Sequence, residues 1–491
     1  MPFVFDNTYA RLPDRFFARV KPSRVARPAL LALNIGLAEQ LQLTPEELTS
    51  TEGVEVLAGN RLPDGAEPIA LAYAGHQFGN FVPQLGDGRA ILLGEAKSRD
   101  GRRFDVQLKG AGRTPFSRGG DGRAAIGPVL REMLLSEAMV ALGVPTTRAL
   151  AAVTTGERIY RETPLPGAIL TRVASSHLRI GTFQFFAVRK DDEAVAKLTD
   201  YALARHYPDA PVSEGPALAL FDAVMTAQSK LVARWLALGF VHGVMNTDNM
   251  SISGETIDYG PCAFLDTFDP QRTFSSIDHG GRYAFANQPR IAQWNLARLA
   301  ETLLPLVDAD RKRAAEILTE RLEGYSERFN TAYAGELRRK LGLQVAREGD
   351  VDLAQSLLEL MAESKVDYTL CFRRLAGAAD AGGSDDGVAE LFSPGATPRF
   401  REWARDWHLR LDMESASKEE RATLMRQANP AFIPRNHRVE EMIDAATNED
   451  MAPFERLRRV LARPYDDQPD DAELANPPGE EQWGYRTFCG T

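Results

Sequence analysis

The sequence predicts an α+β fold of two lobes, in which a β-rich lobe precedes a larger helical one. Between about residues 68 and 112, short alternating apolar runs are separated by Gly-Asp-Gly and Arg-Asp-Gly turns, a pattern typical of antiparallel hairpins. After about residue 190, apolar residues recur at helical spacing, which indicates amphipathic helices. One irregular, glycine-containing island, from His242 to about Gln288, interrupts these helices.

The elements around the hairpins follow from local signals. Ahead of them, we expect a helix from Pro28 to Gln42 and a short turn capped by Thr44. After them, a helix of about fifteen residues is predicted, with Pro128 at its first position and Gly143 just past its end.

Two later segments are also informative. Strand-like pieces lie in residues 148–161 and 168–176, with Thr-Thr-Gly-Glu predicted as a turn between two of them. The acidic, proline-rich stretch from Pro464 to Glu481 is predicted to be a wrapped or flexible tail.

Composition limits the classes of protein to consider. The chain has 491 residues, of which 44% are hydrophobic and 26% charged, the balance of a globular protein with a large core. Lysine and arginine number 58 against 68 aspartates and glutamates, which gives a formal net charge of −10. This acidity argues against a general nucleic-acid-binding protein, so we expect any anion site to be local.

Cysteine content and the N-terminal sequence bear on the compartment. The three cysteines, Cys262, Cys371 and Cys489, are too few and too scattered for a disulfide framework or a cysteine-based zinc site. The N-terminal sequence carries acidic residues and no continuous apolar run, unlike a secretory signal, and no later segment approaches the roughly 18 apolar residues that span a bilayer. We therefore expect a cytoplasmic protein that contacts neither membrane nor nucleic acid.

The irregular island contains His-Gly-Val-Met-Asn-Thr-Asp-Asn at residues 242–249 and Asp-Tyr-Gly at 258–260. Protein kinases carry a catalytic loop His-Arg-Asp-Leu-x-x-x-Asn, then a short hairpin and Asp-Phe-Gly. Aligned on that pattern, His242 and Asn249 match, and the intervening sequence is predicted to form a hairpin that turns at Ser253-Gly254. Val244 stands where kinases have their catalytic base.

The same island offers metal ligands and a replacement base. Asn249 and Asp258 supply hard oxygen ligands, which suit Mg²⁺ held chiefly by the phosphates of a nucleotide. Asp248, next to Asn249, is a carboxylate that can accept a hydroxyl proton in place of the missing base. The alternative is that Asn249 and Asp258 only cap turns. The ordered set of histidine, asparagine, hairpin and Asp-x-Gly favours the metal site.

Features upstream suit the phosphates of such a nucleotide. Gly86 and Gly88 allow backbone N–H groups to approach phosphate, although Gly-Asp-Gly is above all a turn signal. Lys109 ends an alternating apolar strand, in the order expected of a phosphate-pairing lysine. The helix that follows offers Glu132 and Glu137 as its partner, and spacing does not choose between them.

More cationic groups lie near these features in the sequence. A run rich in glycine and arginine, residues 110–125, leads into a helix N-terminus, where it can gather phosphate; the alternative is a solvated loop. Arg172 and Arg179 occupy an otherwise apolar segment, which is unusual unless each has an anionic partner such as a triphosphate. Together these observations predict a two-lobed nucleotide-binding enzyme.

With these motifs the chain resembles the selenoprotein O family, a pseudokinase-like group of protein adenylyltransferases. The resemblance is carried by residues 85–90, 108–139, 172–186, 242–266 and 429–443. It implies a protein-kinase-like fold with N- and C-terminal extensions. It also implies that ATP lies reversed relative to kinases, so that AMP passes to a protein hydroxyl and pyrophosphate is released.

The resemblance implies roles for the matching positions. Asp248 would accept the proton, Asn249 and Asp258 would hold Mg²⁺ or Mn²⁺, and Glu132 would pair with Lys109. Contacts with ATP are implied for Gly86, Gly88, Arg89, Lys109, Asp121, Gly122, Arg172, Arg179 and Asp258.

The chain departs from the family pattern at its C-terminus. Members named for selenocysteine carry it where this chain has Thr491, so the resemblance implies a cysteine-containing, bacterial-type relative. One hypothesis is that Cys489 forms a disulfide with Cys262 and ties the tail to the loop after Asp258. The alternative is two free thiols in a reducing cytosol.

The function expected is therefore Mg²⁺-dependent transfer of AMP from ATP to serine, threonine or tyrosine hydroxyls of protein substrates. Two alternatives use the same residues, namely γ-phosphoryl transfer by a kinase and a non-catalytic nucleotide-binding scaffold. The expected organisation is an N-terminal extension, a β-rich nucleotide-binding N-lobe, a helical C-lobe with the catalytic and metal-binding loops, and a helical C-terminal region with an acidic tail, in residues 1–67, 68–190, 191–300 and 301–491.

Overall fold

The computed structural model describes residues 3–380, 383–479 and Thr487. Its strands are β1 Phe17–Arg19, β2 Ala29–Leu33, β3 Ile69–Leu71, β4 Gly75–Gln77, β5 Asn80–Val82, β6 Ala90–Lys97, β7 Arg103–Lys109, β8 Ala124–Ala125, β9 Arg148–Tyr160, β10 Pro164–Ala174, β11 Phe240–Val241 and β12 Ala263–Phe264. Its α-helices are α1 Ile35–Gln40, α2 Pro45–Thr49, α3 Thr51–Leu57, α4 Ile126–Ala141, α5 Ile180–Ala187, α6 Asp192–His206, α7 Pro216–Leu238, α8 Gln288–Val307, α9 Arg311–Glu323, α10 Tyr325–Lys340, α11 Asp350–Ser364, α12 Tyr368–Ala378, α13 Asp386–Ala389, α14 Thr397–Leu411, α15 Lys418–Ala428, α16 Asn436–Thr447 and α17 Ala452–Leu461.

One antiparallel sheet dominates the N-terminal part of the chain. Its strand order is β1-β3-β6-β7-β10-β9-β2, and β8 adds to β10. The hairpin of β6 and β7 sets Ala90 opposite Lys109, and the hairpin of β9 and β10 contains the longest strands. The separation of this sheet from the helices that follow confirms the predicted α+β class.

The sheet is covered on both faces because its strands alternate in the direction of their side chains. Ile169 on β10 packs with the cluster formed by α1, α2 and α3. Its neighbours Ala168 and Leu170 pack on the other face with α4, α16 and α17. The C-terminal helices α16 and α17 thus return to the sheet, while the largest core cluster lies among α5–α15.

Buried ion pairs join the sheet to helix α6. The guanidinium of Arg205 lies 2.5 Å from Glu95 on β6 and 2.7 Å from Asp105 on β7. Asp105 also accepts hydrogen bonds from the backbone and the ring of His177. Each buried carboxylate therefore has cationic or N–H partners, the condition under which buried charge is tolerated.

His177 makes the stability of the fold sensitive to acid. Burial lowers the pKa of His177, although Asp105 opposes the shift. The unfolded chain therefore binds a proton near pH 6.5 that the folded chain does not, so stability falls as the pH drops below 6.5, by up to about 1.4 kcal/mol per pH unit for this residue. In urea unfolding at pH 7, 6 and 5, we expect His177→Asn, whose amide retains a donor to Asp105, to reduce that slope. The exposed His279 provides the control, since His279→Asn should leave the slope unchanged.

The predicted helix from Pro28 to Gln42 is wrong in its first half. Residues Ala29–Leu33 form β2, which pairs with β9, and only Ile35–Gln40 is helical. The side chain of Asn34 accepts a hydrogen bond of 3.0 Å from the amide of Leu37 and so starts the helix there. Thr44 does occupy the N-cap of the next helix, without a side-chain hydrogen bond.

The Thr-Thr-Gly-Glu turn is also wrong, because these residues lie inside β9. Gly156 has φ of +70°, and an added Cβ would lie 2.7 Å from Cβ of Arg27. The register between β9 and β10 shifts beside it, between Pro166 and Ala168, as in a β-bulge. The strand therefore continues to Tyr160 before it turns.

Other local predictions match the structure more closely. Helix α4 spans Ile126–Ala141, with Pro128 at its third residue rather than its first, and Gly143 follows the C-cap with φ of +73°. The chain does turn at Ser253-Gly254, but the two sides of that turn do not pair with each other. They bridge to Arg179 and Thr146 instead, through Ser251 and Thr256.

The described part of the tail is wrapped on the protein. A 3₁₀ segment spans Pro469–Ala475, and Arg435 donates a hydrogen bond of 3.0 Å to the carbonyl of Ala475. Among the described helices, none is both long enough and apolar enough to pass through a membrane.

Candidate active site

Lys109, Glu132 and Arg172 form a buried group where β7, β10 and α4 meet. One oxygen of Glu132 lies 2.5 Å from Nζ of Lys109, and the other lies 2.5 Å from the guanidinium of Arg172. Glu137, the other candidate partner for Lys109, instead pairs with Arg148 at 2.7 Å. The geometry therefore selects Glu132, which the sequence alone left open.

Charge balance favours the ionised form of the Glu132 carboxylate. Burial acts to raise the pKa of Glu132, but Arg172 and Lys109 outweigh it and lower that pKa. Burial lowers the pKa of Lys109, and Glu132 opposes this shift. The single negative charge of Glu132 balances only one of the two positive charges of Lys109 and Arg172. The remaining positive charge is suited to binding phosphate.

Asp87, between Gly86 and Gly88, organises a second group that sequence reasoning missed. Its carboxylate accepts hydrogen bonds of 3.1 Å from the amide of Leu71 and from the side chain of Gln107. The guanidinium of Arg179 lies 3.6 Å from Asp87 and 4.3 Å from the centre of the Tyr73 ring. Gly-Asp-Gly is also a common turn sequence, so the sequence alone does not show that this aspartate is buried and pairs with Arg179.

The glycines of this loop are required by packing within the protein. Gly86 has φ of +75°, and a Cβ there would lie 2.3 Å from the ring of Phe116. A Cβ on Gly88 would lie 3.0 Å from the carbonyl oxygen of Phe116. Their predicted contacts with ATP remain predictions, because this packing alone accounts for both glycines.

Three other predicted nucleotide-binding residues have different surroundings. Both carboxylate oxygens of Asp121 contact Arg161, at 2.8 and 3.0 Å, and neither contacts the Lys109 group. Gly122 has φ of +69° and packs against the backbone of Gly112. The guanidinium of Arg89, by contrast, has no carboxylate within 4 Å among residues 3–380, 383–479 and 487, and its charge acts on Asp258.

Asn249 and Asp258, the predicted metal ligands, lie in two loops joined through His242. The ring of His242 donates a hydrogen bond of 2.9 Å from Nε2 to the carbonyl of Ile257, next to Asp258. The amide nitrogen of Asn249 donates to the carbonyl of Val244 at 3.1 Å, which fixes the orientation of that side chain.

Asp258 is held as an ionised carboxylate in a left-handed backbone conformation, with φ of +70°. Burial acts to raise its pKa, but Lys109, Arg89 and Arg172 lower it to about 2. An ionised carboxylate and an amide oxygen suit Mg²⁺ or a similar hard cation. Among the described residues, no cluster of three or more histidine, cysteine or acidic side chains suited to a metal occurs.

Arg131 on α4 fixes the loop that follows Asp258. Its guanidinium donates to the carbonyls of Gly260 at 3.0 Å and Cys262 at 2.5 Å. It also lies 3.2 Å from Glu440 on α16. Sequence analysis missed this residue, because nothing in the spacing along α4 links it to a loop more than a hundred residues away.

Asp248 is buried and has one free oxygen. Its Oδ1 has no hydrogen-bond partner among the described residues, and Oδ2 accepts a long hydrogen bond of 3.4 Å from Gln77. Burial raises the pKa of Asp248 to about 6, although Arg179 acts to lower it. A buried carboxylate with an unused oxygen can accept a proton from a hydroxyl group.

The short hairpin β4–β5 lies directly against the Asp248 loop. Phe78 and Gly79 form its tip with φ of +51° and +85°, as in a type I′ turn. The amide of Phe78 donates to Asn246 at 3.0 Å, and the amide of His76 donates to Thr247 at 2.7 Å. A Cβ on Gly75 would lie 2.3 Å from Oδ1 of Asp248, so glycine is needed for this close approach.

Of the two cysteines in the proposed disulfide, the structure describes one. Cys262 is buried, and burial raises its pKa to about 12. Cys489 lies outside the described residues, so the disulfide remains a hypothesis. Thr487, which is described, donates a hydrogen bond of 2.6 Å to the carbonyl of Pro261.

Comparison with known proteins identifies the family. A family model described as "Protein adenylyltransferase SelO" matches residues 2–462. Proteins named "Protein nucleotidyltransferase YdiU" are 60% identical in Bradyrhizobium sp. and 62% identical in Methylorubrum extorquens, over 100% of this chain and 99% of each relative. The protein of that name from Rhodopseudomonas palustris is 57% identical over the same shares. The chain therefore belongs to the SelO family of protein adenylyltransferases.

Proposed function

We propose that this chain is a Mg²⁺-dependent protein adenylyltransferase that moves AMP from ATP to a serine, threonine or tyrosine hydroxyl of a protein substrate. The observation that carries the proposal is the pair of carboxylates at the site. Asp248 keeps a buried oxygen free, while Asp258 is ionised beside Lys109, Arg89 and Arg172. Family membership favours AMP transfer over γ-phosphoryl transfer.

In the proposed reaction, the proton of the acceptor hydroxyl and the leaving group each have a defined destination. The acceptor oxygen attacks the α-phosphorus of ATP, and its proton passes to Oδ1 of Asp248. The bond between the α-phosphorus and the oxygen bridging to the β-phosphate breaks, and pyrophosphate leaves with that electron pair. Lys109, Arg172 and Arg179 bind the phosphates and offset the charge that builds up on the leaving group.

Asn249 and Asp258 would hold the divalent cation. When bound, Mg²⁺ would supply Lewis acidity and offset charge on the polyphosphate. Arg131 keeps the Asp258 loop in place through the carbonyls of Gly260 and Cys262, so the protein orients this ligand before ATP binds.

We also propose that the sheet and the helices correspond to the two lobes of a protein-kinase-like fold, with the four-part organisation predicted above, in a cytoplasmic protein. Two contacts support the kinase-like arrangement. The ion pair of Lys109 with Glu132 links strand and helix as in kinases, and His242 joins the catalytic and Asp258 loops.

The proposal is tested with ATP labelled separately at the α- and γ-phosphates. Purified protein is incubated with Mg²⁺, ATP and a mixture of candidate protein substrates, and label in protein is followed together with intact mass. Label from the α-phosphate with a mass gain of AMP is expected. Label from the γ-phosphate would establish a kinase, and bound nucleotide without any labelled protein would establish a scaffold.

The Asp248→Asn variant tests the proposed base. Asparagine has the shape of aspartate but cannot take up a proton, so we expect AMP transfer from bound ATP to slow by about 10²–10⁴-fold. The affinity for Mg²⁺-ATP, measured by calorimetry, should change little. A transfer rate within about threefold of wild type would exclude Asp248 as the general base.

A further inference from the structure

A half-exposed surface of arginine and aromatic side chains lies beside the β4–β5 hairpin. Trp294 on α8 is flanked by two guanidinium groups, Arg282 at 4.7 Å and Arg298 at 4.8 Å from its ring centre. The ring of His76 packs edge-on against Trp294 at 5.1 Å, and Phe81 is 37% exposed next to His76. We call these five residues the arginine–tryptophan surface.

The surface carries one guanidinium group, that of Arg282, which no carboxylate of the described residues pairs with. Arg282 has no carboxylate within 4 Å in the described residues, and its Nε has no hydrogen-bond partner there. Arg298 pairs with Glu301 at 2.7 Å, but that carboxylate is 54% exposed. Burial and these two arginines lower the pKa of His76, which disfavours the positively charged form of its ring. Such a patch is notable in a chain with a net charge of −10.

The arginine–tryptophan surface lies beside the loop that carries Asp248. The hairpin that carries His76 and Phe81 places Gln77 3.4 Å from the Asp248 carboxylate. The guanidinium of Arg282 lies at the tip of the same hairpin, 3.6 Å from the place of a Cβ on Gly79. Tyr283, next to Arg282, donates a hydrogen bond of 2.6 Å to Asn246 in the Asp248 loop.

We propose that the arginine–tryptophan surface binds acidic residues of the protein segment that presents the acceptor hydroxyl to Asp248. This inference rests on the proposed function for the identity of the reaction, but not for the binding itself. Arginine pairs with carboxylates through its planar fork, and an indole between two guanidinium groups holds both of them in place. Acidic residues that flank the hydroxyl would gain these contacts as the hydroxyl reaches Asp248.

The first test measures binding without any reaction. Fluorescent peptides with a central serine flanked by glutamates, by glutamines or by lysines are titrated with the full-length protein and followed by anisotropy. We expect the glutamate peptide to bind most tightly and to weaken as ionic strength rises. Arg282→Gln together with Arg298→Gln should weaken it by about tenfold, which corresponds to about 1.4 kcal/mol.

Arg313→Gln is the matched control, because Arg313 on α9 is exposed and pairs with Asp308 at 3.3 Å, outside this surface. It should bind the glutamate peptide like wild type. Equal affinity for the glutamate and glutamine peptides would overturn the proposal, as would unchanged binding by the double variant. Tighter binding of a single-stranded RNA of matched length than of the glutamate peptide would assign the surface to nucleic acid instead.

The second test follows AMP transfer into the same peptides. We expect the double variant to raise KM for the glutamate peptide by about tenfold and to leave the affinity for Mg²⁺-ATP unchanged. Loss of ATP affinity would place the surface in the nucleotide site and overturn the inference. If no peptide receives AMP while the glutamate peptide still binds in an arginine-dependent way, the proposed function fails and the docking surface stands.

Discussion

An Asp258→Asn variant is expected to transfer AMP about a thousandfold more slowly than the wild-type protein. The change removes the negative charge of the proposed metal ligand, on which the positive charges of Lys109, Arg89 and Arg172 act. Asparagine tolerates the left-handed backbone at this position, so the loop should keep its shape. The initial rate of AMP incorporation at saturating Mg²⁺-ATP measures the loss.

Asp406→Asn is a suitable control, because Asp406 lies exposed on α14. It should transfer AMP at the wild-type rate. Thermal unfolding of both variants establishes that the protein is folded in each assay. An Asp258→Asn protein that keeps more than about a tenth of the wild-type rate would show that Asp258 is not a required ligand.

A Glu132→Gln variant is expected to lose about 3–5 kcal/mol of the free energy of unfolding. Glu132 is the carboxylate that balances both Lys109 and Arg172, and the side chains of these three residues are 4%, 12% and 5% exposed. Neutral glutamine keeps the shape but removes the one carboxylate that contacts both buried cations. Urea unfolding at neutral pH measures the loss directly.

The same helix provides the matched control. Glu137 pairs with Arg148 at a similar distance, but their side chains are 20% and 22% exposed. Water can therefore solvate the charge that Glu137→Gln leaves behind, and we expect a loss of about 1 kcal/mol or less. Equal losses in the two variants would contradict the argument that burial makes the Glu132 pair essential.

The site was predictable from sequence where its residues are close in the chain. Asn249 and Asp258 follow His242 in the order of a known loop, and a loop of fixed length restricts where its ends can lie. Asp87 and Arg131 were missed because their partners are distant in sequence. Gln107 reaches Asp87 across the sheet, and Arg131 reaches Cys262 from α4, so only the folded arrangement reveals these contacts.

The fold, like the site, was predictable where the signal is local in the sequence and not where distant residues decide the structure. The hairpin of β6 and β7 was predictable, because Arg-Asp-Gly is a local turn signal between alternating strands. Two errors arose where one residue changed the outcome. Asn34 caps α1 and so separates it from β2, and Gly156 introduces a bulge in β9 rather than a turn. Periodicity in a short window does not distinguish these cases, since pairing with a distant strand decides them.

The strand order of the sheet has a consequence for handling the protein. Both outer strands, β1 and β2, come from Phe17–Leu33, while the long apolar strand β9 lies just inside β2. Exposed strand edges are templates for pairing between molecules, and the short strand β2 shields β9 from this. A shortened expression product that starts after Leu33 would uncover residues 151–154 of β9, which pair with β2, and such material is expected to self-associate into insoluble aggregates.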